Sequence, residues 1–230
     1  MAILEIEALR KSYRAPDGST STVVDIASFT MDNGAHVALQ GSSGSGKTTF
    51  LNLIAGILQA DSGRIVLAGQ EMTALGESAR DRLRAQQLGY VFQTFNLLQG
   101  YTALENVALG MMFGRGADYG YARALLERVG LADRMHYRPR QLSVGQQQRV
   151  AVARALANHP RLVLADEPTG NLDRARAMDA LALIREICRE SGAALLLVSH
   201  DEEILGHFEN VQHLSQINRA ATVSTQVATR

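Results

Sequence analysis

The stretch GSSGSGKTT, from Gly41 to Thr49, restricts what this chain can fold into more than any other. Its frame is a glycine, four residues, a second glycine, a lysine and then a serine or threonine, which is the phosphate-loop pattern. It follows HVALQ, a short apolar run, and precedes TTFLNLIAGIL, whose apolar residues have helical spacing. The loop therefore demands a buried strand behind it and a helix ahead of it. Gly41, Gly44 and Gly46 are expected to take positive φ and bring backbone N–H groups close to phosphate oxygens. Lys47 supplies a point charge for β- and γ-phosphates, and the Thr48 hydroxyl is a candidate Mg²⁺ ligand. Ser42, Ser43, Ser45 and Thr49 complete the candidate nucleotide-binding set, and the following helix aims its positive end at the same anion. Such a loop does not by itself separate a kinase from a GTPase or a transport ATPase.

The segments around the loop have their own periods. ILEIEAL and TSTVVDIASF carry β-branched alternation and are separated by the turn-rich APDGS, and DSGRIVLAG reads as a turn and a strand. Residues 77–88 are charged and expected to be helical, and GYVFQ is a short buried strand. From Thr94 to about Ala157 the pattern is helix upon helix, through TALENVALGMMF, YGYARALLERVGL and QQQRVAVARALA. RLVLADEP returns to a buried strand, a helix runs through about Arg189, and ALLLVSH is a further strand. The tail after Asn210 is polar and weakly patterned. The reading is an α/β nucleotide-binding core interrupted by a helical lobe.

Composition removes several alternatives. With 230 residues, 46% hydrophobic and 20% charged, the chain can bury a substantial core without disulfides or structural metals. Lys plus Arg and Asp plus Glu both number 23, so no basic bias points to nucleic acid. The single cysteine, Cys188 in ALALIREIC, is expected to be a buried thiol, permits no internal disulfide and fits a reducing compartment. No run approaches the roughly 18 to 20 apolar residues of a membrane span, so a membrane role is expected to come through a partner.

Two strand ends supply the candidate chemistry. RLVLADEP ends in Asp166 and Glu167, and neighbouring residues on a strand point to opposite faces, so the two are expected to divide roles. Asp166 would join the Mg²⁺ shell beside Thr48, and Glu167 would polarise the attacking water as general base. LLLVSHDEE ends at Ser199 and His200, on the strand edge where α/β folds bind ligands, with His200 a candidate donor to the γ-phosphate. GYVFQ brings Gln93 to the same edge as a ligand of Mg²⁺ or water. QLSVGQQQR has the spacing of a capping box, Ser143 with Gln146, at a helix start whose N–H groups form an anion site.

With these pieces in order, the chain resembles the ATP-binding subunits of ABC transporters along essentially its whole length. RKSY, GSSGSGKTT, Gln93, LSVGQ, LVLADE, NLD and His200 match the family's aromatic, Walker A, Q-loop, signature, Walker B, D-loop and switch-histidine positions. FQTFNLL, TALENVAL and ADEPTGNLD are most similar to the lipoprotein-releasing and macrolide-exporter ATPases. The resemblance implies one α/β domain with a RecA-like phosphate-loop core, an N-terminal antiparallel β subdomain and an inserted α-helical subdomain. Residues 1–93 and 158–230 would form the core with the β subdomain, and 94–157 the helical subdomain carrying the signature.

The same resemblance implies the chemistry and the partners. ATP and Mg²⁺ would be bound, Tyr13 would stack on adenine, and Glu167, His200 and Lys47 would carry hydrolysis. Two copies would pack head to tail, so that Ser143, Gly145 and Gln146 face the γ-phosphate of a nucleotide on the partner. Transmembrane permease subunits would dock in a groove near Gln93, with Phe95, Leu97 and Leu98 either lining it or packing in the core of the helical lobe. This would hold the chain at the cytoplasmic face of the inner membrane, with a periplasmic component on the permease side. The alternative is a non-transport ATPase that regulates a membrane partner, as in the cell-division relatives. Two departures stand out: Val144 replaces the commonest signature glycine, and FENVQHLSQINRA lacks the usual strand, Asp-Gly, strand finish. A β-branched residue adopts positive φ poorly, so ordinary backbone angles are expected at Val144.

Overall fold

The computed structural model describes residues 1–220, so the last ten residues of the expected core segment lie outside the described residues. The chain opens with β1 (Ala2–Arg14) and β2 (Thr20–Asp32), paired antiparallel. The alternation read from ILEIEAL puts Leu4 and Ile6 inside, and an irregularity at Ala8 (φ +46°) shifts the phase so that Leu9 also faces inward, each at most 1% exposed. Next come β3 (His36–Gln40), the phosphate loop, and α1 (Lys47–Ile54). The helix is shorter than TTFLNLIAGIL suggested, because the chain turns at Gly56, whose φ of +64° suits glycine. A Cβ there would also come within 2.9 Å of Met72 and closer still to Arg80.

The strands β4 (Ser62–Leu67) and β5 (Gln70–Glu71) complete a four-stranded sheet ordered β2-β1-β4-β5. Then α2 (Glu77–Gln87) leads into β6 (Leu88–Val91). The helical stretch holds α3 (Ala103–Leu109), α4 (Tyr119–Arg128) and α5 (Val144–Leu156). Thr102 and Glu105 form a capping box that starts α3, and the helix stops at Leu109, short of the MMF expected to continue it. After it come β7 (Leu162–Asp166), α6 (Arg174–Ser191), β8 (Ala194–Ser199), α7 (Glu202–Leu205), β9 (Asn210–His213) and α8 (Leu214–Ile217).

A second, parallel sheet has the order β6-β7-β8-β3-β9. Every residue of β7 and β8 is buried, as expected of parallel strands covered on both faces. Alternate side chains feed different cores. Leu196 and Val198 join α1 and the antiparallel sheet, whereas Leu195 and Leu197 join α5, α6 and the helical lobe. Cys188 lies in the second of these cores, where burial pushes its thiol pKa up to about 12. Among the described residues no helix is long and apolar enough to cross a membrane.

The tail corrects one reading. Its polar sequence hid a strand, β9, which pairs parallel with β3 from Val37 to Gln40 at the edge of the sheet. An edge strand buries little, so Asn210, Val211 and His213 remain exposed and no apolar period marks it. Beyond α8, Asn218 bridges back to Ile26 of β2.

Candidate active site

The parallel strands deliver their C-terminal ends to one edge, and the phosphate loop lies there. Gly44 (φ +78°) and Gly46 (φ +92°) are left-handed as expected. Gly41 is not, and its requirement is space: a Cβ would stand 2.7 Å from Ser45 Oγ and 3.1 Å from Lys47 Cδ. The Lys47 ammonium is folded against the loop, donating to the carbonyls of Gly41 at 2.7 Å and Ser42 at 2.9 Å. It also lies 3.4 Å from Glu167 Oε1, and both side chains are only 9% exposed.

Asp166 closes β7 beside the Thr48 hydroxyl. Burial pushes its carboxyl pKa up, while the hydrogen bond with Thr48 opposes that shift. Its Oδ1 is buried without a hydrogen-bond partner. A buried carboxylate oxygen beside a hydroxyl, with no protein donor of its own, is a donor set suited to a hard divalent cation.

Asp166 and Glu167 do not follow one another along a strand, so strand alternation does not set their directions. Glu167 lies beyond the strand, at φ +44°, so the backbone turns between the two acids. That conformation costs a non-glycine residue on the order of 1–3 kcal/mol. Several bonds hold it. The Glu167 N–H donates to Val198 O at 3.0 Å, and its Oε2 accepts from Ser199 Oγ at 3.3 Å. Its Oε1 lies 2.7 Å from His200 Nδ1, and a carboxylate only accepts, so Nδ1 donates and leaves Nε2 free. A cavity of about 350 Å³ joins these groups, lined by Lys47, Thr48, Thr49, Gln93, Glu167 and His200 among others.

Gln93 is held by a network that sequence reading missed. Asn171 Nδ2 donates to the Gln93 carbonyl at 2.7 Å. From α5, Arg154 donates to the carbonyls of Phe95 and Asn96, each at 2.6 Å, and those residues are left-handed at φ +57° and +50°. Gln148, also on α5, donates to Pro168 O just after the acidic strand end. One helix thus grips the loops of both Gln93 and Glu167. Motif spacing identifies Asn171 only as part of NLD and Ser199 only as a polar strand end, and no local pattern marks Arg154.

Other candidates are not brought into this cavity. Tyr13 is 43% exposed and lines neither cavity beside the loop. Its cross-strand partner Ser21 does line one, a space of about 510 Å³ shared with Ser42 and Ser43. Ser143, Gly145 and Gln146 also line neither. The capping box forms, with Ser143 Oγ accepting from the Gln146 N–H at 3.3 Å and Gln146 Oε1 accepting from the Ser143 N–H at 2.9 Å. Val144 is the first helical residue, has no positive φ and is 43% exposed, so its backbone angles are the ordinary ones expected. Since the backbone at Val144 needs no positive φ, Val144→Gly should not raise steady-state ATPase activity manyfold. A manyfold gain in that assay would mark Val144 as a brake.

Of the two readings of Phe95, Leu97 and Leu98, core packing holds for the first two. Phe95 and Leu97 are buried in the helical-lobe core, because the left-handed turn under Arg154 carries the chain inward there. Only Leu98 is exposed. An apolar groove about 630 Å³ in volume lies between α2, β6 and the end of α3, reaching Phe92 next to Gln93. Ile57, Leu88, Tyr90, Phe92 and Phe113 line it, with Asp81 and Arg82 at its charged side.

Known proteins carry the same architecture. Residues 24–170 match the family model described as ABC transporter. The chain is 45% identical over 217 residues to a protein named lipoprotein-releasing system ATP-binding protein LolD from Pseudomonas syringae pv. tomato, covering 93% of this chain and 95% of that one. LolD of Pseudomonas fluorescens is 44% identical over 219 residues, covering 94% and 96%. A solved dimer of the ATP-binding cassette MJ0796 in a post-hydrolysis state, bound to ADP and Pi, superposes with a TM-score of 0.84 at 32% identity, covering 91% of this chain and 93% of that one. A second dimeric structure of MJ0796, described as a bacterial ABC transporter cassette, has the same TM-score of 0.84 at 33% identity. The chain belongs to the ABC transporter family, as an ATP-binding and ATP-hydrolysing subunit near its LolD members.

Proposed function

We propose that the chain closes head to tail on a second copy around two ATP and uses hydrolysis to drive a membrane permease that extrudes lipoproteins. The observation that carries this reading is a division of the site. The phosphate loop, Gln93, Glu167 and His200 share one cavity, whereas the capped, solvent-facing start of α5 stands apart from it. A capped, solvent-facing helix start that lines neither cavity beside the phosphate loop, with Arg176 packed near Gly145, suits a γ-phosphate on another copy. The dimeric form of the similar cassette MJ0796 supports the same arrangement.

Within each site Lys47 would leave its carbonyl partners for the β- and γ-phosphates, releasing Glu167 from the ion pair. Glu167 takes a proton from water as the water oxygen bonds to the γ-phosphorus, and the bond to the β–γ bridging oxygen breaks to release ADP. His200 orients that carboxylate through Nδ1, and its Nε2 is available to the γ-phosphate. Thr48, Gln93 and Asp166 would hold Mg²⁺, and the unpartnered Asp166 Oδ1 fits that role. When bound, the ion offsets charge on the β- and γ-phosphate oxygens. Tyr13 would serve the adenine from the rim of the neighbouring space.

The apolar groove suits a short amphipathic helix of the permease, which would place the chain at the cytoplasmic face of its membrane. Lipoproteins as cargo rest on the printed name of the LolD relatives. Reconstitution with a candidate permease tests the docking site and the transport coupling. Wild-type ATPase activity should rise when the permease is added, and Phe113→Asp should lose most of that rise, because Phe113 is 81% exposed at the groove. Equal stimulation of the variant would sink the docking site. No stimulation of the wild type would sink the transport reading.

A further inference from the structure

Asn218 lies far along the chain from the phosphate loop, yet its side chain reaches that loop. It is fully buried, and its amide is saturated. Oδ1 accepts from the Asp25 N–H at 2.8 Å and the Ala220 N–H at 3.2 Å. Nδ2 donates to Val23 O at 2.9 Å and Ser45 O at 3.3 Å. Those partners fix the amide orientation, since N–H groups meet the oxygen and carbonyls meet the nitrogen. A short segment sets this reach: α8 brings Leu214 into the core and the Asn218 N–H donates to Leu214 O at 2.7 Å.

The held atoms matter more than the hold itself. Ser45 stands between the left-handed residues Gly44 and Gly46, where the backbone has little stiffness of its own. The peptide joining Ser45 to Gly46 is planar and trans, so its carbonyl and its N–H point in opposite directions. Turning Ser45 O toward Asn218 therefore turns the Gly46 N–H away from Asn218, on the other side of the loop. Val23 O, the second acceptor, packs so closely on Gly46 that a Cβ there would lie 2.8 Å away. One side chain thus ties β2, the loop and the tail together.

We propose that Asn218 is a positioning residue for phosphate binding, fixing the direction of the Gly46 N–H from the tail of the chain. The inference rests on the phosphate-loop reading above. Asn218→Asp keeps the size but sets a carboxylate oxygen against Val23 O and Ser45 O, and Asn218→Ser leaves a hydroxyl too short to reach the loop. Both variants are to be compared with wild type and Lys47→Ala by titration with a fluorescent ATP analogue, by steady-state kinetics and by thermal unfolding. The expected result for Asn218→Asp is a rise of about tenfold or more in the dissociation constant and in KM, with a much smaller fall in kcat. Asn218→Ser should give a smaller rise of the same kind and stands in if the aspartate variant does not fold. A role confined to anchoring the tail would lower the unfolding temperature and leave affinity and KM unchanged in the folded fraction, which overturns the proposal. If Lys47→Ala loses binding while both Asn218 variants keep it, this inference falls alone. If Lys47→Ala binds like wild type, the phosphate-loop reading falls and takes the inference with it.

Discussion

Glu167→Gln should reduce steady-state ATP hydrolysis by about a thousandfold, within the range that positioned general bases contribute, while ATP binding persists. The substitution keeps the side-chain shape and an oxygen that can accept from Ser199. It removes the charge that faces His200 at 2.7 Å and Lys47 at 3.4 Å, and an amide cannot accept the proton of the attacking water. Lys47 retains its carbonyl partners in Gly41 and Ser42, so the loop need not unravel. The variant should trap ATP between two copies, since closure requires binding and opening requires turnover. Near-normal turnover in a coupled phosphate-release assay would move the base away from Glu167, with His200 the next group to test.

Lys47→Ala should weaken ATP binding by roughly tenfold to a hundredfold, the span expected for loss of hydrogen bonds to charged phosphate oxygens. A buried ammonium is lost, and three groups lose a partner together: the carbonyls of Gly41 and Ser42 and the carboxylate of Glu167. Of these only Glu167 is buried, and losing the cation that faces its carboxylate should also lower the unfolding temperature. Titration on protein shown to be folded separates the two effects. An unchanged affinity there would contradict the assignment of GSSGSGKTT.

Much of this arrangement is legible in the residues because it rests on short-range rules. The loop between HVALQ and a helical pattern defines its own surroundings, and strand ends such as LVLAD and LLLVS are apolar runs closed by polar residues. The parts that were not legible depend on long-range contacts. Glu167 turns left-handed after its strand because Val198 and Ser199 of β8 and His200 just beyond it hold it, and the turn-rich EPTG does not signal a left-handed residue at its start. Phe95 and Leu97 look like groove residues until Arg154, on a distant helix, draws their backbone inward. The edge strand β9 and the clamp at Asn218 are mostly polar, and their partners lie 173 to 195 positions away, beyond the reach of any periodicity.

The central claim is that each ATP site is completed by the start of α5 from another copy. Light scattering on Glu167→Gln, with and without saturating ATP, tests it most directly when the double variant carrying Ser143→Arg is measured in parallel. The account predicts the mass of one chain without ATP and of two chains with it. It predicts the mass of one chain for the double variant under both conditions, although that protein still binds the nucleotide. A single-chain mass for Glu167→Gln at saturating ATP, or a double variant that dimerises equally well, would contradict a shared site.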